Sequence, residues 1–229
     1  CLSTSFGDLL ICKILERMNR KRSDTSWHGS CLVLAVLAKK NLLLPSRLND
    51  IIPCVMMALK FEEPRGLTSV GDAAYVCWVI AKAFEPRFIE PYRETLAENL
   101  LAVACFDREA LCRRAAVLAL QQFVERGVNI PHGVEITTAA NFHSVGSCSN
   151  AYLSVSMEIA QYKEYTESLI KHLLRNKVDY WDCNIRILTA KALHKLASRA
   201  PEYTASDVLT ELFALIMIDD PKALHGAVL

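Results

Sequence analysis

A chain of 229 residues, 52% of them apolar, carries enough hydrophobic material for a sizeable buried core, which excludes a disordered tail. Lys plus Arg total 26 against 25 for Asp plus Glu, and a formal charge of +1 excludes the basic excess on which nucleic-acid binding rests. Only eight glycines and eight prolines punctuate the chain, too few for many tight strand turns and sufficient for helices joined by short polar loops.

In chain order, the first dense feature is the basic cluster Arg17, Arg20, Lys21 and Arg22, which lies between apolar stretches and reads as a solvated turn. A helix rich in small residues is then predicted from Trp27 to Ala38. Its apolar run, from Cys31 to Ala38, falls far short of the roughly 20 residues that span a bilayer, so no membrane span is expected. The opening residues also lack the basic-then-apolar layout of a signal peptide. One-sided apolar stripes predict further helices over 48–60, 90–105, 151–160, 165–175 and 205–218. Pro45, Pro86, Pro91, Pro131 and Pro201 fall at or near proposed helix ends, where a missing backbone donor costs little. Pro53 is expected in a first turn for the same reason.

The chain repeats itself. Cys112-Arg113-Arg114-Ala115-Ala116-Val117-Leu118-Ala119-Leu120 overlays Ile185-Arg186-Ile187-Leu188-Thr189-Ala190-Lys191-Ala192-Leu193 at an offset of 73, two units of about 36 residues. A third copy begins at Trp27, 86 residues before Arg113, with Leu34, Leu37 and Ala38 matching Leu193, Leu196 and Ala197. The closing Leu224-His225-Gly226-Ala227-Val228-Leu229 echoes the start of that copy. Two helices per period near 40 predict an all-α fold, an α-solenoid of HEAT-like helical hairpins. Residues 1–229 are expected to form one solenoid segment of about five to six helical pairs, cut from a longer protein at both ends. Alanine, glycine and cysteine at inward positions let neighbouring helices approach, and stacking completes a core that one unit cannot bury alone.

Asp107 and Arg113 stand six apart, as in HEAT units that place an aspartate in the inter-helix turn and an arginine in the second helix. The pair predicts a structural ladder of charge-assisted hydrogen bonds between repeats, with Arg186 as the next rung. Position 180, the equivalent of Asp107, is Tyr, so the ladder is expected to be discontinuous. The stretch 129–150 has little helical amphipathicity and reads as an elaborated inter-repeat loop or an irregular helix, a packed connector in preference to a binding edge. Should it form a binding edge, His132, Asn141 and His143 are the partner-binding candidates.

Chemistry is not predicted. The nine cysteines contain no C-x-x-C pair and read mostly as reduced core residues. Six histidines offer no H-x-x-x-H spacing, so no metal is expected; His28 is expected to be hydrogen-bonded in the core and His194 to be solvated. Gly66-Leu67-Thr68-Ser69-Val70-Gly71 is neither a P-loop nor a dinucleotide fingerprint. A cysteine nucleophile such as Cys148, with His143 nearby, can be imagined, but nothing in the sequence orients the pair. No cofactor or catalytic residue is assigned.

Ordered motifs along nearly the whole chain resemble the tubulin-folding cofactor D family. They are Asp24-Thr25-Ser26-Trp27-His28-Gly29-Ser30-Cys31-Leu32, Leu42-Leu43-Leu44-Pro45-Ser46-Arg47-Leu48, Asp72-Ala73-Ala74-Tyr75-Val76-Cys77-Trp78, Phe106-Asp107-Arg108-Glu109 with Cys112-Arg113-Arg114-Ala115-Ala116, Pro131-His132-Gly133, and His225-Gly226. The resemblance implies a non-enzymatic scaffold that binds β-tubulin and helps assemble or take apart the αβ-tubulin dimer. Its implied partners are tubulin-folding cofactors E and C and an ARF-like small GTPase, in the cytoplasm and in association with microtubules or centrosomes, with GTP chemistry confined to the partners. Two departures stand out: Gly71 adjoins Asp72 where the family carries a few intervening residues, and Leu224 stands where a basic residue is usual. The alternative is a HEAT adaptor serving another transport or regulatory assembly.

Overall fold

A computed structural model describes residues 4–20, 24–61 and 69–229. Lys21, Arg22 and residues 66–68, which the sequence reading placed in a solvated turn and a bland loop, lie outside the described residues. Among the described residues every regular element is helical and there is no strand, so the all-α helical-repeat class is what the chain adopts. Two compact units are present: Cys1–Val103 with Ala115–Gly133, and Ala104–Arg114 with Val134–Leu229.

The first unit contains α1 (Thr4–Arg20), α2 (Asp24–Lys39), a 3-10 turn (Pro45–Arg47), α3 (Leu48–Leu59), α4 (Ser69–Ala83), α5 (Pro86–Ile89) and a second 3-10 turn (Glu90–Tyr92). It also holds most of α6 (Arg93–Phe106) and α7 (Ala110–Glu125). Its tightest pairing is α2 on α4. Trp27, Cys31, Leu34, Ala35 and Ala38 bury one face of α2 at helical spacing, and Ala73, Ala74, Cys77, Ile80 and Ala81 do so on α4. Alanine and cysteine at the contact let the axes approach, while leucine and isoleucine fill the remaining volume. Burial pushes the Cys31 thiol up to about 12, with the Asp72 carboxylate adding to the effect, and raises the fully enclosed Cys77 and Cys105 as well. These cysteines serve as small hydrophobes, as expected.

Polar contacts between elements help tie this unit together. His28 Nδ1 lies 2.5 Å from Asp72 Oδ2, linking α2 to the first turn of α4. Its side chain is 43% exposed, so the expected hydrogen bond is present but at the rim of the packing rather than in the core. Arg47 Nε donates to Asp8 at 2.9 Å and its Nη1 to Asp50 at 3.2 Å, bracing α1 against α3. Glu90 Oε1 accepts from the Asn129 amide at 2.8 Å.

Pro45 and Pro86 open their elements at N1 or N2, as the sequence predicted. Pro53 does not sit in a first turn: it is the sixth residue of α3, which begins at Leu48. The helix tolerates it because Pro53 lies on the exposed face, where water takes over the carbonyl it leaves unpaired, while Ile51, Ile52, Cys54 and Val55 are buried around it.

The second unit contains the start of α7 and, after it, α8 (Gly133–Ala139), α9 (Cys148–Asn150), α10 (Ser156–Ile159), α11 (Lys163–Asn176), α12 (Cys183–Ala197), α13 (Pro201–Tyr203), α14 (Leu209–Ile216) and α15 (Pro221–Val228). Two π-helical stretches, Ala151–Val155 and Thr204–Val208, splice α9 to α10 and α13 to α14 into longer rods. In the first, Ser156 Oγ donates to the Tyr152 carbonyl at 2.5 Å, and Tyr152 itself is fully buried. The inserted residue shifts the helical register locally. Tyr165, Leu169, Ile170, Leu173 and Leu174 form the buried stripe of α11.

Candidate functional site

The arginines read from the repeat form the same device twice in the second unit. Arg113 is 1% exposed at the start of α7, and its Nη1 donates to the carbonyls of Asp107 at 2.8 Å and Arg108 at 2.7 Å. Its other two nitrogens reach the connector: Nε donates to Val145 O at 2.6 Å and Nη2 to Gly146 O at 2.8 Å. Arg186 repeats the inner half, with Nη1 donating to the carbonyls of Tyr180 at 2.5 Å and Trp181 at 3.2 Å. Its Nε donates to His225 Nδ1 at 3.1 Å, tying α12 to α15. The planar guanidinium supplies donors in several directions at once, which an ammonium of similar length does not.

The expected break in the ladder at Tyr180 is therefore absent. Arg113 meets Asp107 at its main-chain carbonyl, so the identity of the side chain six positions earlier is immaterial, and Tyr180 offers the same oxygen. The aspartates of these turns have a separate task. Asp107 accepts from the Glu109 amide at 2.7 Å, Asp182 from Asn184 at 2.9 Å and Asp220 from Lys222 at 3.0 Å, satisfying free amides at the starts of α7, α12 and α15. A charge link between repeats does exist, one residue along: Arg108 Nε lies 3.2 Å from Asp182 Oδ2.

The 129–150 connector is packed. Ile136, Ala140 and Val145 are fully buried, and Arg113 fastens the backbone at 145 and 146. Asn141 is a turn-former: its Oδ1 accepts from the amides of His143 and Ser144, each at 3.0 Å, and its Nδ2 donates to Thr138 O at 2.9 Å. His143 is exposed beside Phe142, with ring centroids 5.7 Å apart. His132 belongs to the first unit, where it is exposed and left-handed at φ 55° immediately before Gly133. Asn141 and His143 are thus brought together, Asn141 shaping the turn that presents His143.

Sequence reasoning missed the two aromatic-arginine pairs that this clamped backbone displays. The Arg108 guanidinium sits 4.7 Å from the Trp181 ring centroid, and that of Arg114 sits 4.3 Å from the Phe142 ring while its Nε donates to Phe142 O. Trp181 and Phe142 are 36% and 43% exposed, and Leu111, between the two arginines, is 78% exposed. The arginine-bearing repeat was the available signal; the partner rings come from segments about 30 and 70 residues away, which no local pattern reveals. Aromatic faces, arginine and an exposed leucine on a rigid backbone are the composition of a protein-contact surface.

The nucleophile reading finds no support at Cys148. Burial raises its thiol above the ordinary range; the nearby Arg113 and Lys177 charges lower it, and Asp107 and Asp182 raise it. No cluster of three potential metal ligands occurs among the described residues, and no helix among them is long and apolar enough to cross a membrane.

A family model described as "Tubulin-specific chaperone D-like, ARM repeats" matches residues 1–134. The chain is 35% identical over 238 aligned positions to "Tubulin-specific chaperone D" of Dictyostelium discoideum, an alignment covering 99% of the chain and 16% of that relative. It is 30% identical over 185 positions to "Tubulin-folding cofactor D" of Schizosaccharomyces pombe, covering 79% of the chain and 17% of that relative. The chain therefore spans about a sixth of the length of the curated relatives it matches. The matched description names ARM repeats where periodicity predicted HEAT-like ones; both are stacks of helices.

Proposed function

Given that the chain belongs to the tubulin-specific chaperone D family, we propose that it is a helical-repeat scaffold of a tubulin-folding cofactor. It holds β-tubulin while the αβ-tubulin dimer is assembled or taken apart. Cofactors E and C and an ARF-like small GTPase act beside it in the cytoplasm, at microtubules or centrosomes, and the GTP chemistry is theirs. The observation that carries the reading within this chain is the display of Trp181 beside Arg108 and of Phe142 beside Arg114, with Leu111 exposed at the start of α7, next to turns whose carbonyls the buried arginines clamp. A pre-organised aromatic edge loses little conformational entropy when a partner docks, which is what a distributed interface with a large globular subunit needs.

Mass photometry of the chain mixed with αβ-tubulin and with the small GTPase tests this. A complex with tubulin is expected, weakened by about tenfold or more in Trp181→Ala and in Phe142→Ala, the range for exposed aromatic anchors. Undiminished binding by both variants moves the contact elsewhere. Capture of the GTPase without tubulin favours an adaptor in another assembly.

A further inference from the structure

We propose that the first unit carries a second binding site, a lysine-rimmed aromatic cleft between the ends of α2 and α4 that takes an acidic peptide segment of a partner protein. The cleft has a volume of about 230 Å³ and is lined by Ala38, Lys39, Asn41, Trp78, Val79 and Lys82, with Ala83 at its end. Tyr75 and Trp78, one helical turn apart on α4, stack with centroids 5.9 Å apart and planes 16° from parallel. Lys82 Nζ lies 3.9 Å from the Trp78 centroid, and Lys39 reaches across from α2 to lie 5.0 Å from the Tyr75 centroid while donating to its hydroxyl.

The charge pattern identifies the ligand. Lys39, Lys40 and Lys82 are exposed and none has a carboxylate partner among the described residues, whereas the neighbouring Glu85 is taken by Arg87 at 2.9 Å. Lys39 and Lys82, both lining the cleft and both without a carboxylate partner among the described residues, meet here in a chain whose whole formal charge is +1. The Trp78 ring face holds Lys82 and the Tyr75 hydroxyl holds Lys39, so carboxylates meet positioned ammonium donors rather than flexible ones. Asn41, which lines the cleft, is left-handed at φ 54° and closes α2, its backbone N–H donating to the Ala38 carbonyl at 3.0 Å.

The two lysines also lie in the last turns of their helices, where they complement the carbonyl ends. That service needs neither a stacked tyrosine-tryptophan pair nor an open cleft between them. A spread of cations along an apolar wall suits several carboxylates on one extended chain better than one small anion. Nucleic acid is disfavoured by the near-zero charge balance of the whole chain.

Fluorescence anisotropy with a labelled oligo-glutamate peptide tests the site on the full chain. Saturable binding is expected, weakened by roughly tenfold or more in Lys39→Gln/Lys82→Gln and unchanged in Lys171→Gln/Lys191→Gln, whose lysines are exposed elsewhere. The charge-preserving Lys39→Arg/Lys82→Arg should retain affinity, and the Trp78 indole N–H resonance should move on titration of the unaltered protein. No saturable binding, equal loss in the two glutamine variants, or tighter binding of a single-stranded oligonucleotide overturns the proposal. Trp181→Ala and Phe142→Ala leave this binding intact, so its outcome is separate from that of the tubulin experiment.

Discussion

Replacing Gly226 by alanine should undock the last helix. A β-carbon at Gly226 falls 1.7 Å from the Val178 carbonyl oxygen, 2.7 Å from its carbon and 3.2 Å from Val178 Cγ1. Backbone atoms do not swing aside as a side-chain tip does, so α15 has to retreat by about 1.5 Å to restore ordinary van der Waals separation. The retreat breaks the 3.1 Å hydrogen bond between Arg186 Nε and His225 Nδ1 and opens the contact that leaves Ala223 only 2% exposed. Overpacking of this kind costs about 1–3 kcal/mol, and the lost hydrogen bond about 1 kcal/mol more. Alanine's better helix propensity returns up to about 1 kcal/mol, leaving a net destabilisation near 2 kcal/mol. Gly29, its counterpart in the His-Gly pair of α2, has nothing within 4 Å of its built β-carbon, so Gly29→Ala should gain about 0.5–1 kcal/mol from propensity alone. Urea titrations followed at 222 nm compare the two variants, and hydrogen exchange over 221–228 distinguishes global destabilisation from local release of α15. A Gly226→Ala protein with unaltered midpoint and unaltered exchange there would refute the close-approach argument.

Arg113→Lys should lower stability by about 2–4 kcal/mol in the same titration, because one ammonium cannot satisfy four carbonyls in different directions and leaves some buried without a donor. Pro53→Ala should raise stability by about 1–2 kcal/mol by restoring a helical hydrogen bond on the exposed face of α3; a lower midpoint would mean that the ring stiffens the unfolded chain by more than it costs the helix. Maleimide labelling at neutral pH, read by mass spectrometry, should modify the exposed Cys183 before Cys148, and Cys31, Cys77 and Cys105 only on unfolding; Cys148 reacting first would revive it as a nucleophile.

Much of the fold was legible because its cause is periodic. The apolar stripe predicted over 48–60 becomes α3, that over 165–175 lies within α11, and the 73-residue offset marks two arginines with the same inner contacts. What escaped depends on atoms that letters do not specify. Tyr180 in place of aspartate looked like a missing rung because the sequence displays side chains, while the rung is made by a main-chain oxygen. Gly29 and Gly226 look equivalent in sequence, yet only one faces another segment's backbone. The π-helical stretches leave no compositional trace, and Pro53 defied its placement because exposure, not position in the helix, decides what an unpaired carbonyl costs. Among the partner-binding candidates, Asn141 was picked for its exposed loop and turned out to build the turn, whereas Trp181 and Phe142 went unnoticed inside ordinary segments.

An arginine that grips peptide oxygens frees the letters around it. Since residues 108, 180 and 181 anchor through atoms common to every amino acid, mutation can rewrite their outward-facing groups without loosening the joint beneath. Each bend thereby becomes a socket of constant mechanics and interchangeable fittings, and selection for a new client can act on the fittings alone.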